Sequence, residues 1–306
     1  NKKFEVNLIG RKSFKKRAHE IKIKRIKVFN NIFSYLSEIK NTSQYADSKF
    51  LIISISPYTF LISLFLKILG QKPIVYLRSD GYGEYKAIFG KIGSLIYHFM
   101  FNISAAVSDF ISCRDYILRG KKGKIISPSQ LDSVWLRQPK NTEIKNFKLL
   151  YVGRIRVEKG IFALSELIRN KRDISLTIVG AEKGGSHKIN QSNIKIQLTQ
   201  SNKTRLIKYY DDHNIFILPS FTEGHPMSLL EALARKRPVI IFEEIQHVIG
   251  KKKGIFVSKR NYESLIKTIE YIKKNYRKIQ DDMKENRLPT NKEFIQSMEN
   301  LITNMN

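Results

Sequence analysis

A single cysteine, Cys113, excludes an internal disulfide and a cysteine-based zinc site. Acidic residues are also scarce: 27 Asp+Glu face 55 Lys+Arg, a formal net charge of +28. Such a balance suits a nucleic acid or an anionic membrane as partner. A compositional bias of the source would give the same excess, because lysine, isoleucine and asparagine are abundant together. The charge is densest in Asn1–Asn30, with eleven Lys/Arg against two acids. No zinc-finger spacing and no RNA-binding aromatic motif accompanies it, so no nucleic-acid partner is expected. Asn1–Arg17 is basic and mixed and shows no secretory signal, which makes the reducing cytoplasm the expected location. Long apolar runs are missing too. Phe50–Leu66 is free of charge over seventeen residues, but it is short for a membrane span and is cut by Ser54, Ser56 and Pro57. It reads as a buried strand Phe50–Ile55, a turn, and a buried helix Thr59–Leu69 that Gly70 closes.

What remains is ordinary globular composition, 42% apolar and 27% charged over 306 residues, enough for two domains with sizeable cores. The first half alternates in the α/β manner. Phe4–Ile9 and Ile21–Phe29 read as strands, Asn31–Ile39 as a helix, Pro73–Leu77 as a strand, and Ser104–Val107 and Lys124–Ser127 as the last strands. Helix Tyr85–Phe101 carries Ile88, Ile92, Leu95, Ile96 and Phe99 on one face. That stripe is expected to enter the core, the alternative being a membrane-contact surface. Asn141–Asn146 is a polar linker. Beyond it come strand Lys148–Val152, helix Phe162–Arg169, strands Ile174–Val179 and Ile194–Leu198, helix Lys203–Asp211, an amphipathic stretch Asn261–Tyr276 and a last helix Asn291–Ile302. No internal repeat is present.

Chemistry concentrates in two places. Ile215–Phe242 reads strand, loop, helix, strand, with the helix opening at Pro226, a favoured first helical residue. Its N-terminus offers unpaired amides at the positive end of a dipole, an anion site over His225, Pro226, Met227 and Ser228. Glu223 and Glu231 frame it and suit sugar and ribose hydroxyls as hydrogen-bond acceptors; an ordinary capped helix with solvated acids has the same pattern. The second place follows strand Lys148–Val152, where Gly153 permits a tight turn. There Arg154 and Lys159 stand in a loop of the kind that binds ligands in open α/β sheets. A plain solvated Lys/Arg loop reads the same way. Gly180–Gly185 (GAEKGG) is either a flexible turn or a loop that approaches the same ligand.

YVGRIRVEKG, followed by PSFTEGHPMSLLEA from Pro219 and RPVI from Arg237, resembles the retaining family 4 glycosyltransferases. The match is strong over Phe147–Phe242 and covers the rest only in pattern. The resemblance implies an α/β fold of the GT-B type: two Rossmann-like domains facing a cleft, 1–143 for the acceptor and 144–288 for the nucleotide sugar. A C-terminal helix, 289–306, would cross back to the first. It implies a metal-independent, retaining transfer of a hexose-type unit from a UDP- or GDP-sugar to a hydroxyl of a polysaccharide, lipopolysaccharide or lipid-linked acceptor, with no cofactor. Arg154 and Lys159 would neutralise the diphosphate beside Gly153 and Gly224. Glu223 would hold a sugar hydroxyl and Glu231 the ribose, and the leaving phosphate would take the acceptor proton. The Arg78–Glu84 loop would face the acceptor, but it lacks the family's frequent histidine, leaving Arg78 and Asp80 as candidates. Arg235-Lys236-Arg237 stands where a glycine before the basic residue is usual. The family leads one to expect a strand before FEVNLIGRK, so the chain reads as starting at its second strand. An anionic membrane surface is the further partner expected. Two other functions fit: a catalytically silent GT-B subunit, and a polyanion binder.

Overall fold

The computed structural model describes residues 4–12, 23–45, 47–137, 139, 147–171, 173–182 and 189–305. Two compact units are formed, one from Asn1–Pro128 with Lys292–Asn306 and one from Ser129–Asn291.

In the first unit β1 (Asn7–Arg11) and β2 (Arg25–Phe29) pair in parallel, Asn7 opposite Arg25, as a sheet of two strands. Both are shorter than the sequence pattern suggests, and β1 lies further along the chain. Next come α1 (Ile32–Ser43), β3 (Leu51–Ile53), α2 (Pro57–Ile68), β4 (Ile74–Leu77), α3 (Gly81–Val107), β5 (Asp109–Ser112) and β6 (Lys124–Ile125). The last four strands make a parallel sheet in the order β3-β4-β5-β6. The charge-free run divides into strand and helix because Ser56 and Thr59 cap each other's backbone and Pro57 opens α2. Ser104–Val107, read as a strand, is the last turn of α3; the extended backbone begins at Ser108.

The apolar stripe of α3 does not enter the core. Ile88, Ile92, Leu95 and Phe99 are 60–70% exposed and Ile96 47%, whereas Tyr97, Met100 and Phe101 are buried. The helix carries apolar residues on more than one side, and the core of the first unit takes up only the side of Tyr97, Met100 and Phe101. Gly90, at φ +63, also breaks it in two.

The second unit contains α4 (Ser133–Leu136), β7 (Lys148–Val152), α5 (Ile161–Leu167), β8 (Ser175–Ala181), β9 (Ile194–Leu198), α6 (Lys203–Asp211), β10 (Ile215–Leu218), α7 (Met227–Ala234), β11 (Val239–Phe242), β12 (Ile255–Ser258), α8 (Tyr262–Lys274) and α9 (Tyr276–Asp282). Its six parallel strands run β12-β11-β10-β7-β8-β9. Leu149, Leu150, Ile215, Phe216, Ile217 and Ile240 are all at most 2% exposed, as befits strands covered on both faces.

The boundary expected at 143/144 falls instead at 128/129. Trp135 is buried edge-to-face on Tyr210, ring centroids 5.6 Å apart, and Arg235 Nη1 donates to the carbonyls of Trp135 (3.0 Å) and Arg137 (2.8 Å). These contacts bind α4 to the second unit. The linker Asn141–Asn146 lies outside the described residues. The last helix, α10 (Asn291–Asn304), packs Phe294, Met298, Leu301 and Ile302 on Ile74, Tyr76 and Ile111 of the first unit. Lys49 Nζ caps its end at the carbonyls of Ile302 (2.9 Å) and Thr303 (3.0 Å). The two crossings of the chain between units are tied together, since Asn291 N donates to the Leu131 carbonyl at 2.7 Å.

After α7 the chain turns at Lys236, which takes φ +52, the left-handed conformation that glycine adopts without strain. Lys236→Gly is expected to stabilise the protein by about 0.5–1 kcal/mol, the left-handed penalty less glycine's greater entropy loss. Chemical denaturation measures it. A second expectation concerns β1, which has no buried residue and, among the described residues, only β2 as a strand partner, whereas Leu149, Leu150 and Tyr151 of β7 are buried between two neighbouring strands. Amide hydrogen exchange should therefore be faster in Asn7–Arg11 than in Lys148–Val152.

Candidate active site

From β7 the chain steps outward through β8 to β9, then returns to lay β10 on the other side of β7 and steps outward again. This is the doubly wound order, and the reversal between β7 and β10 is the point where such sheets bind ligands, beyond the carboxyl ends of the strands. Both chemical stretches of the sequence sit there. The loop after β7 runs Gly153–Gly160, and the loop after β10 runs Pro219–Pro226.

The two loops are joined through backbone. Phe221 N donates to the Glu158 carbonyl at 3.0 Å. Gly160, at φ +63, lies so close to the Pro219 carbonyl that a Cβ on it would stand 1.8 Å from that oxygen, so only glycine fits. Gly180 plays the same part for Gly153, whose carbonyl oxygen would be 1.8 Å from a Cβ at Gly180. Tyr151 fixes the turn by donating its hydroxyl to the Arg154 carbonyl at 2.9 Å, and burial pushes its pKa up, so it stays a neutral donor.

Side chains complete the junction. Lys159 Nζ donates to Glu223 Oε1 at 2.6 Å, and Ser220 Oγ donates to the same oxygen at 2.6 Å. Both charged side chains are largely buried, 20% and 10% exposed, so their attraction is stronger than on an open surface. Arg154, five residues before Lys159, is exposed. Pro226 is the N-cap of α7 rather than its first helical residue, with extended ψ of 114. Since proline has no N–H, the anion-binding amides expected over His225–Ser228 reduce to those of His225, Met227 and Ser228. No side-chain cap is made at this end, an arrangement that suits the amides of Met227 and Ser228 to an anion. Gly224 is buried in the same loop.

Glu231 is more covered than the sequence suggests. It is 7% exposed, and its Oε2 accepts from the Tyr210 hydroxyl at 2.8 Å. Arg78 and Asp80 belong to the first unit. Asp80 caps α3 on Tyr82 N (3.2 Å) and pairs with Arg119 (3.1 Å), which gives its carboxylate a structural task, while Arg78 is exposed. Of the GAEKGG loop, 183–185 lie outside the described residues. Among the described residues no group of three or more His, Cys, Asp or Glu could hold a metal ion.

Two contributors escaped the sequence reading. Arg260 stacks on Phe221 (4.2 Å) and Phe242 (4.3 Å), donates to the Pro219 carbonyl at 3.0 Å and pairs with Glu244 at 2.7 Å. His247 Nε2 donates to the Glu223 carbonyl at 2.7 Å. Both hold the loop after β10 from the far side, and only their position after β11 and β12, at the same sheet edge, could have flagged them.

A model of the family described as glycosyl transferases group 1 matches residues 136–288, half of the chain. The chain belongs to that family. Among curated relatives, this group 1 protein is 31% identical over 123 residues to TuaC of Bacillus subtilis strain 168, named for teichuronic acid biosynthesis as a glycosyltransferase; the match takes in 39% of this chain and 31% of TuaC. It is 29% identical over 139 residues to the capsular polysaccharide biosynthesis glycosyltransferase CapM of Staphylococcus aureus, covering 41% of this chain and 36% of CapM. The matched part thus spans about a third of those relatives. Anabaena HepE, solved with UDP and glucose, superposes with a TM-score of 0.69 at 12% identity over 92% of this chain and 86% of HepE. The fold is therefore GT-B over both units.

In this group 1 protein the buried Glu231 predicts a pH effect. Desolvation raises its pKa above the ordinary 4.5, and the Tyr210 hydrogen bond only partly offsets that. The folded protein thus keeps this proton to higher pH than the unfolded chain, so stability falls as pH rises from about 4.5 to the raised value and stays lower beyond it. Glu231→Gln, which still accepts from Tyr210, should remove this component of the fall. Urea midpoints of the two proteins across the acid-to-neutral range measure it, and identical curves would contradict it.

Proposed function

We propose that this chain transfers a sugar from a nucleotide-sugar donor to a hydroxyl of a glycan or lipid-linked acceptor in polysaccharide biosynthesis. The transfer retains anomeric configuration and needs no metal. The observation that carries this reading is the Lys159–Glu223 contact of 2.6 Å at the strand-order reversal, beside Arg154 and the uncapped end of α7. The held ammonium of Lys159, the exposed guanidinium of Arg154 and a set of amides in these loops suit a diphosphate, and the Glu223 carboxylate suits a hydroxyl of the attached sugar. Names of relatives support the acceptor class, since TuaC and CapM are named for cell-surface polysaccharides. The HepE complex supports a nucleoside diphosphate as the carrier, UDP or GDP being the candidates.

In the reaction, the bond between the anomeric carbon and the phosphate oxygen breaks and its electron pair goes to the diphosphate. Arg154, Lys159 and the amides of α7 stabilise that growing charge. The acceptor oxygen bonds to the same face of the anomeric carbon, and its proton passes to the departing phosphate oxygen, so the protein need supply no base. Glu223 orients the sugar, Glu231 the ribose, and Arg78 is the remaining candidate on the acceptor side. The basic charge of the N-terminal sequence supports work at the cytoplasmic face of an anionic membrane, where each lysine near the surface would contribute about 1 kcal/mol.

Because charge grows on the diphosphate only as the bond breaks, Arg154→Ala should lower kcat by about 10²–10³. Lys159→Ala should do likewise, but it also leaves Glu223 without its cation and costs up to about 3 kcal/mol of stability, so a melting curve accompanies it. Glu231→Ala should chiefly raise KM for the donor, since ribose contacts do not change during the reaction. Unchanged turnover without both cations would place the diphosphate elsewhere. Donor binding with no turnover on a broad acceptor panel would make the chain a silent subunit.

A further inference from the structure

The exposed side of α3 is the largest feature that the proposed chemistry leaves unexplained. Ile88 (68%) and Phe89 (61%), before the break at Gly90, and Ile92 (70%), Leu95 (69%), Ile96 (47%) and Phe99 (60%), after it, all stand in solvent. Next to it, α2 packs its Phe60 ring against Phe99, centroids 6.1 Å apart, and itself exposes Leu61 (48%) and Ile68 (80%). Single exposed apolar residues are normal, but a contiguous group of this size marks a surface that something covers.

Charge decides among occupants. From Tyr85 to Val107 the sequence has Lys86 and Lys91 and no acid, and α2 has Lys67 and no acid. Glu84 and Asp109 mark the two ends of the acid-free stretch. A second copy of a chain with a net charge of +28 would be repelled. An anionic lipid surface satisfies both halves of the pattern: acyl chains accept the apolar side chains, and lysines at the margin reach lipid headgroups with their stems lying on the apolar face. Among the described residues no helix is long and apolar enough to cross a membrane, and Gly90 interrupts α3 besides. The helix must therefore lie in the interface rather than through it.

We propose that the Ile92–Phe99 face of α3, with Ile88 and Phe89 before its break and Leu61 and Ile68 of α2, inserts into the headgroup region of an anionic bilayer and seats the first unit on it. This rests on the membrane reading given above and adds a site and a mode: insertion of apolar side chains as well as attraction of charge. Salt separates the two modes. At about 1 M salt the Debye length falls to about 3 Å, which removes most of a purely electrostatic attachment and leaves an inserted one largely in place.

The experiment is flotation of the whole chain with vesicles of phosphatidylglycerol and phosphatidylcholine at low and high salt, for the wild type and for Ile92→Gln/Leu95→Gln/Phe99→Gln. The three side chains are exposed, so the variant should fold with an unchanged melting temperature, which is checked first. The wild type is expected to float at both salts, and the variant to lose about tenfold or more of its vesicle partition. In parallel, Phe99→Cys carrying an environment-sensitive fluorophore should shift to the blue on vesicle addition; the native Cys113 is buried and does not take the label. Equal flotation of variant and wild type, with no shift at position 99, overturns α3 as the site while leaving membrane attachment standing. Absence of flotation by the wild type at either salt overturns both. A wild-type dimer in solution that the variant abolishes, without vesicle binding, gives the surface to self-association and overturns the proposal.

Discussion

Everything at the site depends on how closely two loops approach at the reversal of strand order. Adjacent parallel strands β7 and β10 deliver their loops to the same sheet edge, but adjacency alone would leave them apart. Gly160 closes the gap, because its missing Cβ lets the backbone reach the Pro219 carbonyl, and the Phe221–Glu158 backbone hydrogen bond then fixes the register. Lys159 is the residue before that glycine and Glu223 follows four residues after Pro219. Their 2.6 Å contact is thus a consequence of backbone geometry, already made before any ligand arrives. A preset ammonium costs little reorganisation when it meets an anion.

A second constraint supports the first from below. Arg235 makes a two-pronged pair with Asp211, 2.8 and 2.7 Å, and Arg237 donates to the Tyr210 carbonyl at 2.8 Å, all nearly out of water. Guanidinium groups tolerate such burial when every donor finds an acceptor. This arrangement ties the end of α7 to α6 and, through Trp135, to α4. It also accounts for the unusual Arg235-Lys236-Arg237: the flanking arginines have structural partners, and the strain falls on Lys236, whose carbonyl Gln280 holds at 3.0 Å. Tyr210 belongs to both systems, since its hydroxyl reaches Glu231 and its carbonyl reaches Arg237.

The two units differ in how they use apolar residues. In the second, strands covered on both faces absorb nearly all of them. The first has a two-stranded sheet with no buried residue in either strand, and a four-stranded sheet flanked by helices that keep apolar side chains in solvent.

The α/β class, the strand before Gly153, the strand before Pro219 and the candidate cations and carboxylates after them were legible in the sequence. Such features are local: a glycine where a chain must turn, an apolar run bounded by polar residues, charges in the intervening loop. It also carried the resemblance on which the GT-B expectation rested. Tertiary structure alone decided that Glu231 faces Tyr210, that Arg260 and His247 brace the loop after β10, and that residues 129–137 side with the second unit. It alone put the apolar stripe of α3 in solvent. Periodicity records which residues are apolar, but whether a neighbour exists to cover them depends on how many faces the sheet offers, and that is set by strands far away in the chain.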